Sequence, residues 1–496
     1  MTSATVRRAG QQALAFLTKE HGLLIDGRWR PATRGARFGS LDPATGETIA
    51  TLAAGTPEDV AAAVIAARTA FADGRWRHLT PSARGQILWR IAERIDAHGG
   101  FLAELETLDG GKPYAAALGA DVHAAAECFR YYAGMCTKIE GRTREISAPG
   151  RYHCYTVLEP AGVCGLIVPW NGPLAIGAWK LAPALAAGCT VVLKPPEQAS
   201  LSLVALGELL SEAGLPPGVV NIVTGQGASV GAALAAHPDV DRISFTGSTA
   251  TARSIIAAAS GNLKKLTLEL GGKSPAIVFA DADLDAAAEG VADGIFGNAG
   301  QVCVASSRLY VERSVYEPFL EALAGKAQAL RVGAGFDPAT QMGPLISAAH
   351  RNHVHALVSK GLAEGGRIVA GGEPMTGPGF FYPPTVVADT TADMTVVREE
   401  IFGPVLSAMP FDSEEQAVAA ANASPYGLAG SVWTRDISRG HRVISEIRAG
   451  IVWINCHGLP DPAMPFGGYR QSGWGRELGP EALESFQERK SVIARL

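Results

Sequence analysis

The sequence predicts an α/β fold built on parallel sheet, and two observations support that prediction. From residue 152 onward, short apolar runs alternate with longer helical runs. The apolar runs are VCGLIVPWN, TVVLKPPE, VVNIVTG and RISFTGS, and the helical runs between them are AIGAWKLAPALAAG, LSLVALGELLSEAG and SVGAALAAHP. Strands that alternate with helices at such intervals favour right-handed crossovers. Near-continuous Val, Ile and Leu are typical of strands buried on both faces.

The segment up to about Arg144 is predicted to be mainly helical. The runs DVAAAVIAARTAFA and RGQILWRIAERIDAHGGFLAELE carry apolar residues at helical spacing, and Pro57 and Pro81 lie near their starts. The first residues are predicted to form a helical or frayed arm. Arg7 and Arg8 give only a weak twin-arginine or transit signal, because the apolar stretch behind them is short.

A second α/β unit is predicted to begin near Gly271, with Gly271 and Gly272 as the hinge between units. Its predicted strands are AIVFA, RLYV, TVVAD, SVWT and AGIVWIN. The tail SVIARL is also predicted to be a strand. An unpaired terminal strand commonly pairs with another subunit.

Composition and charge argue against several classes of protein. A chain of 496 residues is too long for one ordinary core. The 43 basic and 48 acidic residues give a net charge of −5, which offers no electrostatic reason to expect nucleic acid or a membrane as partner. No run approaches the roughly 18 apolar residues that span a bilayer. Seven widely spaced cysteines without a C-x-x-C pair predict neither disulfides nor a metal site, and they favour a cytoplasmic location.

Polar residues or glycines follow four successive predicted strands, at the edge where parallel sheets bind ligands. Together they favour a phosphate-bearing cofactor, and they are Asn171, Lys194 with Glu197, Gly225, and Gly247 with Ser248. The usual G-x-G-x-x-G fingerprint is absent. The nearest run, Gly225–Gly231, has one residue too many and by itself indicates a turn. Ser248 opens a predicted helix, where it either receives phosphate oxygens or acts as a plain cap.

Two residues are candidates for chemistry, and each also has an ordinary structural interpretation. In KKLTLELGGKS, Glu269 ends a predicted strand before two glycines, as a general base or as a solvated end residue. In FGNAGQVCVASS, small residues surround Cys303, so backbone N–H groups could stabilise a thiolate or an oxyanion. A lone cysteine is more often structural. Since no Cys–His pair is readable, a papain-like protease has little support.

Seven motifs in order resemble the aldehyde dehydrogenase superfamily over nearly the whole chain. They are PWN (169–171), KPPE (194–197), FTGS (245–248), LELGGK (268–273), GQVC (300–303), EEIFGP (399–404) and PFGGYRQSGWGREL (465–478). The resemblance implies a Rossmann-type NAD-binding domain at residues 1–144 and 159–270 and an α/β catalytic domain at 271–470. It also implies small oligomerisation elements at 145–158 and 471–496, and hence a homo-oligomer, either a dimer or a homotetramer.

The resemblance also implies a mechanism for aldehyde oxidation. Cys303 would attack the aldehyde carbon as a thiolate, and the thiohemiacetal oxyanion would accept hydrogen bonds from Asn171 and the Cys303 N–H. Hydride transfer to the nicotinamide would leave a thioester. Glu269 would then act as general base for the water that hydrolyses it. Lys180 and Glu477 match family positions that assist proton movement or hydrogen bonding.

The implied cofactor is NAD, with NADP as the less favoured alternative. Glu197 would accept hydrogen bonds from the adenosine ribose and repel a 2′-phosphate, and Lys194 would hold the same ribose. Ser248 would meet the pyrophosphate, Glu400 the nicotinamide ribose, and Phe402 the ring. The other residues implied at the cofactor site are Pro169, Trp170, Asn171, Gly227, Gly231, Phe245, Gly247 and Leu270.

Substrate class rests on a looser resemblance. The segments HGLLIDGRW and NCHGLPDPAMPFGGYRQSGWGRE are similar to the group that oxidises aromatic aldehydes such as phenylacetaldehyde, so an aromatic or medium-chain aldehyde is predicted. Many relatives have an aromatic residue after PWN, and Gly172 instead removes bulk from the substrate tunnel. One alternative is a coenzyme-A-acylating relative, which generally lacks the glutamate seen here as Glu269. Another is a non-catalytic binding protein, against which the presence of Cys303, Glu269 and Asn171 argues.

Overall fold

The computed structural model describes residues 8–496, and the start of the predicted N-terminal arm, residues 1–7, lies outside the described residues. The strands are β1 (Leu23–Ile25), β2 (Arg28–Arg30), β3 (Arg37–Leu41), β4 (Thr48–Ala53), β5 (Tyr152–Pro160), β6 (Val163–Ile167), β7 (Thr190–Lys194), β8 (Val220–Ile222), β9 (Arg242–Thr246), β10 (Lys265–Glu269), β11 (Pro275–Val278), β12 (Arg308–Glu312), β13 (Arg367–Ala370), β14 (Thr385–Ala388), β15 (Val405–Phe411), β16 (Ala429–Trp433), β17 (Ile451–Ile454), β18 (Gly473–Trp474) and β19 (Gln487–Arg495).

The α-helices cover both large sheets and supply the N termini that face the ligand edge. They are α1 (Gln11–Leu17), α2 (Pro57–Ala72), α3 (Pro81–Ala97), α4 (Gly99–Gly110), α5 (Tyr114–Ala116), α6 (His123–Met135), α7 (Pro173–Ala187), α8 (Leu201–Glu212), α9 (Ala232–Ala236), α10 (Thr249–Ala259), α11 (Leu284–Phe296), α12 (Tyr316–Ala329), α13 (Ala348–Ala363), α14 (Thr395–Arg398), α15 (Glu414–Asn422), α16 (Ile437–Glu446) and α17 (Gly479–Ser485). Two π-helical turns lie at Ala117–Val122 and Gly227–Gly231. No helix in residues 8–496 is both long enough and apolar enough to cross a membrane.

The first large sheet has eight strands in the order β18-β10-β9-β6-β7-β8-β1-β2. Its five central strands are parallel, and each outer strand runs antiparallel to the strand it pairs with on its inner side. After β6 the chain continues to β7 and β8 on one side, and it later adds β9 and β10 on the other. The strand order therefore reverses between β6 and β9, and such a reversal opens a ligand crevice at the carboxyl ends of the strands.

The second large sheet has seven strands in the order β13-β14-β15-β12-β11-β16-β17, all parallel except the edge strand β13. It has its own apolar core, which includes Ile277, Leu309 and Val432. The α/β architecture predicted from the alternation of strands and helices is confirmed. The proposed domain boundaries remain a prediction.

The region before Arg144 differs from the mainly helical prediction, because it also contains the four short strands β1 to β4. Strand β1 pairs with β8 and extends the first sheet, and β3 pairs with β4. In β1 all three side chains are buried. A three-residue apolar run is too short to show either helical or strand periodicity, so the sequence pattern could not identify it.

The predicted C-terminal strand is present as β19, and its partner is β5 of the same chain. The two strands form a nine-residue antiparallel ladder from Gln487 opposite Pro160 to Arg495 opposite Tyr152. The strand partner that we expected from another subunit is therefore supplied, for this ladder, by β5 of the same chain. Strand β18, just before it, returns to the first sheet and sets Gly473 opposite Glu269.

Candidate active site

Two adjoining cavities open at the carboxyl ends of β6 and β9. The smaller measures about 280 Å³ and the larger about 660 Å³. Both are lined by Pro169, Trp170, Thr246, Gly247 and Ser248, so together they form one continuous cleft. The smaller cavity also includes Asn171, Glu269, Leu270, Cys303, Glu400 and Phe402, and the larger includes Lys194, Glu197, Gly227, Gly231 and Phe245.

Cys303 lies in the smaller cavity, just after a tight turn with unusual backbone. Asn298 and Ala299 have φ of 49° and 54°, which is a costly conformation for residues other than glycine. Burial, together with the negative charges of Glu400 and Glu269, raises the pKa of the Cys303 thiol to about 12. The sulfur is therefore a thiol at neutral pH and needs a nearby base to become a nucleophile.

Glu269 ends β10 and is 2% exposed, and neither of its carboxylate oxygens has a hydrogen-bond partner among the described residues. Burial raises its pKa well above the ordinary value, and the neighbouring Glu477 raises it further. A β-carbon on Gly467 would lie 2.6 Å from Glu269 Oε1. The glycine therefore leaves room for the carboxylate. A buried carboxyl without a partner, facing a cavity that holds a thiol, is suited to moving a proton.

A buried network lies next to β10 and contains Lys180 and Glu477. Lys180 on α7 donates hydrogen bonds to the Glu477 carboxylate and, at 3.0 Å, to Ser244 Oγ. The Ser244 hydroxyl donates to Glu477 Oε1 at 3.2 Å, and the Thr246 hydroxyl is 3.5 Å from the same oxygen. Thr246 also lines the cavity. The predicted pair is thus brought together, with hydroxyls that connect it towards the cleft.

Asn171 follows β6 and lies beside the Cys303 loop. Its Nδ2 donates to the Gln301 carbonyl at 2.9 Å, and Asn298 Nδ2 donates to the Asn171 carbonyl at 2.9 Å. One of the two Asn171 amide hydrogens is therefore used by the loop, and the second is left for a ligand. Gln301 anchors the same loop from the other side, because its Oε1 accepts from the Ile346 N–H at 2.9 Å.

Glu400 is held against the glycine pair that follows Glu269. Its Oε1 accepts from the Gly272 N–H at 2.9 Å, and burial raises its pKa to about 7. A β-carbon on Gly271 would come within 1.9 Å of Glu400 Oε2. Only glycine therefore allows Glu400 this position, from which it lines the smaller cavity.

Aromatic rings form one wall of the smaller cavity. Trp170 packs edge to face against Phe402, with centroids 5.3 Å apart, and against His350 at 5.5 Å. His350 Nε2 lies 2.7 Å from the Phe402 carbonyl oxygen, which ties the ring to the EEIFGP segment. Phe402 itself has φ of 57°. Leu270 adds an apolar side chain to the lining.

The larger cavity contains an ion pair at its polar end. Lys194 Nζ donates to Glu197 Oε2 at 2.6 Å. Burial by itself would raise the pKa of Glu197, but the charge and hydrogen bond of Lys194 outweigh it, so the pKa is lowered. A β-carbon on Gly227 would lie 3.8 Å from Glu197 Oε1, so the glycine keeps the approach to the pair open. Gly227 and Gly231 bound a π-helical segment that continues into α9, so this run begins a helix, where the sequence pattern by itself had indicated a turn.

Ser248 is the N-cap of α10, and its Oγ accepts from the Thr251 N–H at 3.2 Å. The interpretation as a helix cap is thus confirmed, and the residue also lines both cavities. A β-carbon on Gly247 would lie 2.5 Å from the Phe245 ring, so this turn packs closely on that ring. The backbone N–H groups at the N terminus of α10 lie where the two cavities meet, and such groups bind phosphate oxygens well.

The cleft as a whole fits a dinucleotide. It has two connected compartments, a helix N terminus at their junction, and a carboxylate at each end that could accept from ribose hydroxyls, Glu197 and Glu400. The side-chain chemistry therefore matches two nucleosides joined through phosphates.

Three histidines lie near the site that the sequence did not predict there. His350 and His353 line the smaller cavity. His457 supports the loop after Cys303, since its Nε2 lies 2.7 Å from the Val304 carbonyl oxygen. Burial lowers the pKa of His457 to about 4, so its ring is neutral. Each is a single histidine in an ordinary local context, and no sequence signal distinguishes such a residue from a core histidine.

Comparisons with known proteins agree with this geometry. The sequence pattern of the aldehyde dehydrogenase family matches residues 29–492. The putative aldehyde dehydrogenase DhaS of Bacillus subtilis is 45% identical over 481 residues, which cover 97% of each chain. Retinal dehydrogenase 2 of Homo sapiens is 44% identical over 476 residues, covering 96% of this chain and 92% of the relative.

Solved structures that resemble this fold are aldehyde dehydrogenases as well. The NAD+ complex of an aldehyde dehydrogenase from Bacillus cereus superposes with a TM-score of 0.97 at 47% identity, covering 98% of this chain and 99% of that chain. The family predicted from the seven motifs is thus confirmed. The chain belongs to the aldehyde dehydrogenase family and is an aldehyde-oxidising enzyme.

Proposed function

We propose that this enzyme converts an aromatic or medium-chain aldehyde to the carboxylic acid with NAD+, through a thioester on Cys303 that water hydrolyses with Glu269 as base. One observation carries the proposal. The buried, unpartnered Glu269 carboxyl and the Cys303 thiol line the same cavity. A nucleophile next to a base with no other partner is suited to acyl chemistry.

In the first step the Cys303 thiol gives its proton to the Glu269 carboxylate, which lines the same cavity, and the sulfur attacks the aldehyde carbon. The electron pair of the carbonyl bond moves to oxygen, and the resulting thiohemiacetal oxyanion needs donors. The free amide hydrogen of Asn171 and the Cys303 N–H are the donors we assign to it. A preorganised donor of this kind contributes about 3–4 kcal/mol to transition-state stabilisation.

The second step removes hydride from the same carbon. When bound, NAD+ accepts this hydride. Trp170 and Phe402 would contact the nicotinamide ring, and Glu400 would accept from its ribose. The oxyanion electrons re-form the carbonyl bond, so Cys303 now carries a thioester.

In the last step Glu269 takes a proton from water, and the water oxygen attacks the thioester carbon. The carbon–sulfur bond breaks, its electrons stay on sulfur, the sulfur takes a proton back from Glu269, and the carboxylic acid leaves. The proton that Glu269 took from Cys303 in the first step would leave earlier through water in the cavity, beside which Thr246 and the Lys180–Glu477 network lie. Aldehyde, water and NAD+ are thus converted to acid, NADH and one proton.

NAD is the cofactor, and the charge arrangement in the larger cavity supports NAD over NADP. Glu197 would accept from the ribose hydroxyls, and its negative charge would repel a 2′-phosphate. Lys194 neutralises part of that charge, so selectivity is expected to be a preference rather than an absolute exclusion. The Bacillus cereus relative was solved in complex with NAD+.

Aromatic pairs in the apolar core that also packs against Cys303 support the substrate class. Trp179 and Phe466 pack with centroids 5.2 Å apart, and Trp453 packs on His457 at 4.9 Å. Trp179, Trp453 and Cys303 all pack against this extended core. Gly172, next to Asn171, adds no side-chain bulk there. Flat aromatic and longer apolar aldehydes would gain contact area there.

We infer a homo-oligomer, a dimer or a homotetramer, with residues 145–158 and 471–496 as its oligomerisation elements. The β5–β19 ladder provides the exposed strand edges that support this assignment. We likewise assign residues 1–144 and 159–270 to NAD binding and 271–470 to catalysis, and we infer a cytoplasmic location from the unpaired cysteines.

The test is a comparison of kcat/KM for phenylacetaldehyde, benzaldehyde, hexanal and betaine aldehyde with NAD+, together with identification of the product. We expect phenylacetaldehyde or hexanal to exceed betaine aldehyde, with free acid as product. Preference for betaine aldehyde would contradict the substrate class. Acyl-coenzyme A as the product, in the presence of coenzyme A, would contradict hydrolysis through Glu269.

A further inference from the structure

Helix α4 carries two buried carboxyl groups one turn apart, Glu106 and Asp109, both 0% exposed. Neither lines the cleft. Both accept from the first turns of neighbouring helices, and Glu106 also accepts from the Ser202 hydroxyl of α8. Glu106 Oε1 accepts from the Leu174 N–H of α7 at 3.2 Å, and Asp109 Oδ2 accepts from the Leu201 N–H of α8 at 2.8 Å. These two helices follow β6 and β7, the strands that lead to the two halves of the cleft.

Helix α7 lacks a side-chain cap of its own. Its N-cap is Gly172, which has no side chain, and its first residue is Pro173, which has no N–H. Leu174 therefore carries the first N–H of the helix, and a buried N–H without an acceptor is costly. Glu106 provides that acceptor from 68 residues away.

Lys112 holds Glu106 in place. It is 6% exposed, and its Nζ lies 2.6 Å from Asp121 Oδ1 and 3.7 Å from Glu106 Oε2. Burial raises the pKa of Glu106 to about 7, and the positive charge of Lys112 opposes that rise. Burial alone would lower the pKa of Lys112, but Asp121 and Glu106 outweigh it and raise the pKa. The lysine is thus charged, and it favours the ionised form of Glu106.

The start of α7 lies next to the reacting groups. Asn171 is three residues before Leu174 and donates to the loop that carries Cys303. We propose that Glu106, supported by Lys112, is a positioning residue that replaces the missing cap of α7 and thereby orients the Asn171 amide towards the oxyanion. This inference rests on the oxyanion role proposed above for Asn171.

The main test uses Glu106→Met, which keeps much of the side-chain length and removes the oxygen that accepts from the Leu174 N–H. The rate of NADH formation in a single turnover is expected to fall about 10-fold, because small displacements of catalytic groups are costly. Glu106→Gln retains an acceptor oxygen and should restore most of the rate. The dissociation constant for NAD+, measured by fluorescence, should stay within about twofold. Lys112→Met should act in the same direction, and Lys112→Arg, which retains the charge, should restore most of the rate.

A matched control separates positioning from loss of stability. Arg84 on α3 is 7% exposed, its Nη1 donates to the Leu79 carbonyl at 2.8 Å, and neither residue lines the cleft. Arg84→Met removes a similarly buried cation, so it should lower the melting temperature and leave the single-turnover rate unchanged. If it slows NADH formation as much as Lys112→Met does, the positioning role is contradicted.

A double-mutant cycle makes the decisive measurement. If Glu106 acts through Asn171, Glu106→Met should cost less than twofold in an Asn171→Ala background. A full 10-fold cost in that background would overturn the inference and leave the proposed function intact. If Asn171→Ala alone does not slow NADH formation, the oxyanion role fails, and this inference fails with it. If Glu106→Met does not fold, the same cycle with Lys112→Met and Lys112→Arg decides the question.

Discussion

The two compartments of the cleft satisfy their polar groups in opposite ways. In the larger cavity, Lys194 and Glu197 are bonded to each other. In the smaller cavity, Glu269 is almost wholly buried and neither oxygen has a partner among residues 8–496. The first arrangement is ready to bind without further rearrangement. The second keeps a buried carboxyl group without a hydrogen-bond partner, which is energetically costly. The same lack of a partner leaves both oxygens available for proton transfer.

This difference teaches that binding and chemistry place different demands on buried charge. A carboxylate that only accepts from ribose hydroxyls works best when ionised, and a neighbouring lysine keeps it so. A carboxyl that must take up and release a proton works best with its pKa near the working pH. Substitutions in the two compartments should therefore have distinct kinetic signatures.

The largest effect is expected for Cys303→Ala in the smaller cavity. Loss of the nucleophile should lower kcat at least about 10⁴-fold, while the dissociation constant for NAD+ changes less than about twofold. Cys456→Ala is the matched control, since Cys456 is also a partly exposed free thiol. Turnover by Cys303→Ala above a hundredth of the native rate would remove this residue from the mechanism.

A smaller loss, about 10²–10⁴-fold in steady-state turnover, is expected for Glu269→Gln. The variant should still release about one NADH per active site before it stalls as the thioester, because its defect lies in hydrolysis. Stopped-flow absorbance of NADH checks this burst. Steady turnover without a burst, at the native rate, would assign the base to another group.

The pH dependence of kcat/KM tests the raised pKa values of the two acids in the smaller cavity. Burial raises the pKa of Cys303 to about 12, and burial also raises the pKa of Glu269 well above its usual range. Both acids are more ionised at higher pH, so kcat/KM should rise from pH 6 to 9, by up to about tenfold per unit for each proton lost. In Glu269→Gln the rise should be shallower. A profile that falls above pH 7 in the native enzyme would contradict these shifts.

The smallest effect is expected in the larger cavity. Glu197→Gln removes a charged acceptor, so the KM for NAD+ should rise about tenfold with kcat nearly unchanged. The same change should improve the use of NADP+, because repulsion of the 2′-phosphate is relieved and Lys194 remains. Initial-rate kinetics with both cofactors measure the ratio. An unchanged ratio would show that selectivity lies elsewhere in the cleft.

Much of the fold was predictable because its signals are local. The ends of β6, β7 and β9 follow from apolar runs that stop at polar residues, and Glu269 falls at the end of β10. The family motifs then assigned catalytic roles to Cys303, which spacing alone left as an ordinary cysteine, and to Asn171, which spacing placed only at the ligand edge of the sheet. The structure brings both to one cavity.

The parts that could not be predicted depend on contacts far apart in the sequence. Glu106 caps a helix 68 residues later, and His457 supports a loop 153 residues earlier. Neither residue carries a local pattern that distinguishes it from a solvated glutamate or a core histidine. Strand β1 was missed for a related reason, because only its pairing with β8 identifies it.

The return of β18 to the first sheet also has a consequence for biosynthesis. Glu269 lies opposite Gly473 in the sheet. Glu477, four residues after Gly473, bonds to Lys180 and is an electrostatic neighbour of Glu269. A nascent chain on the ribosome therefore carries its thiol and its base long before the residues that enclose them have emerged. Aldehyde-oxidising activity should appear only after release of the full chain. A protein shortened before residue 473 should have a reactive cysteine without turnover.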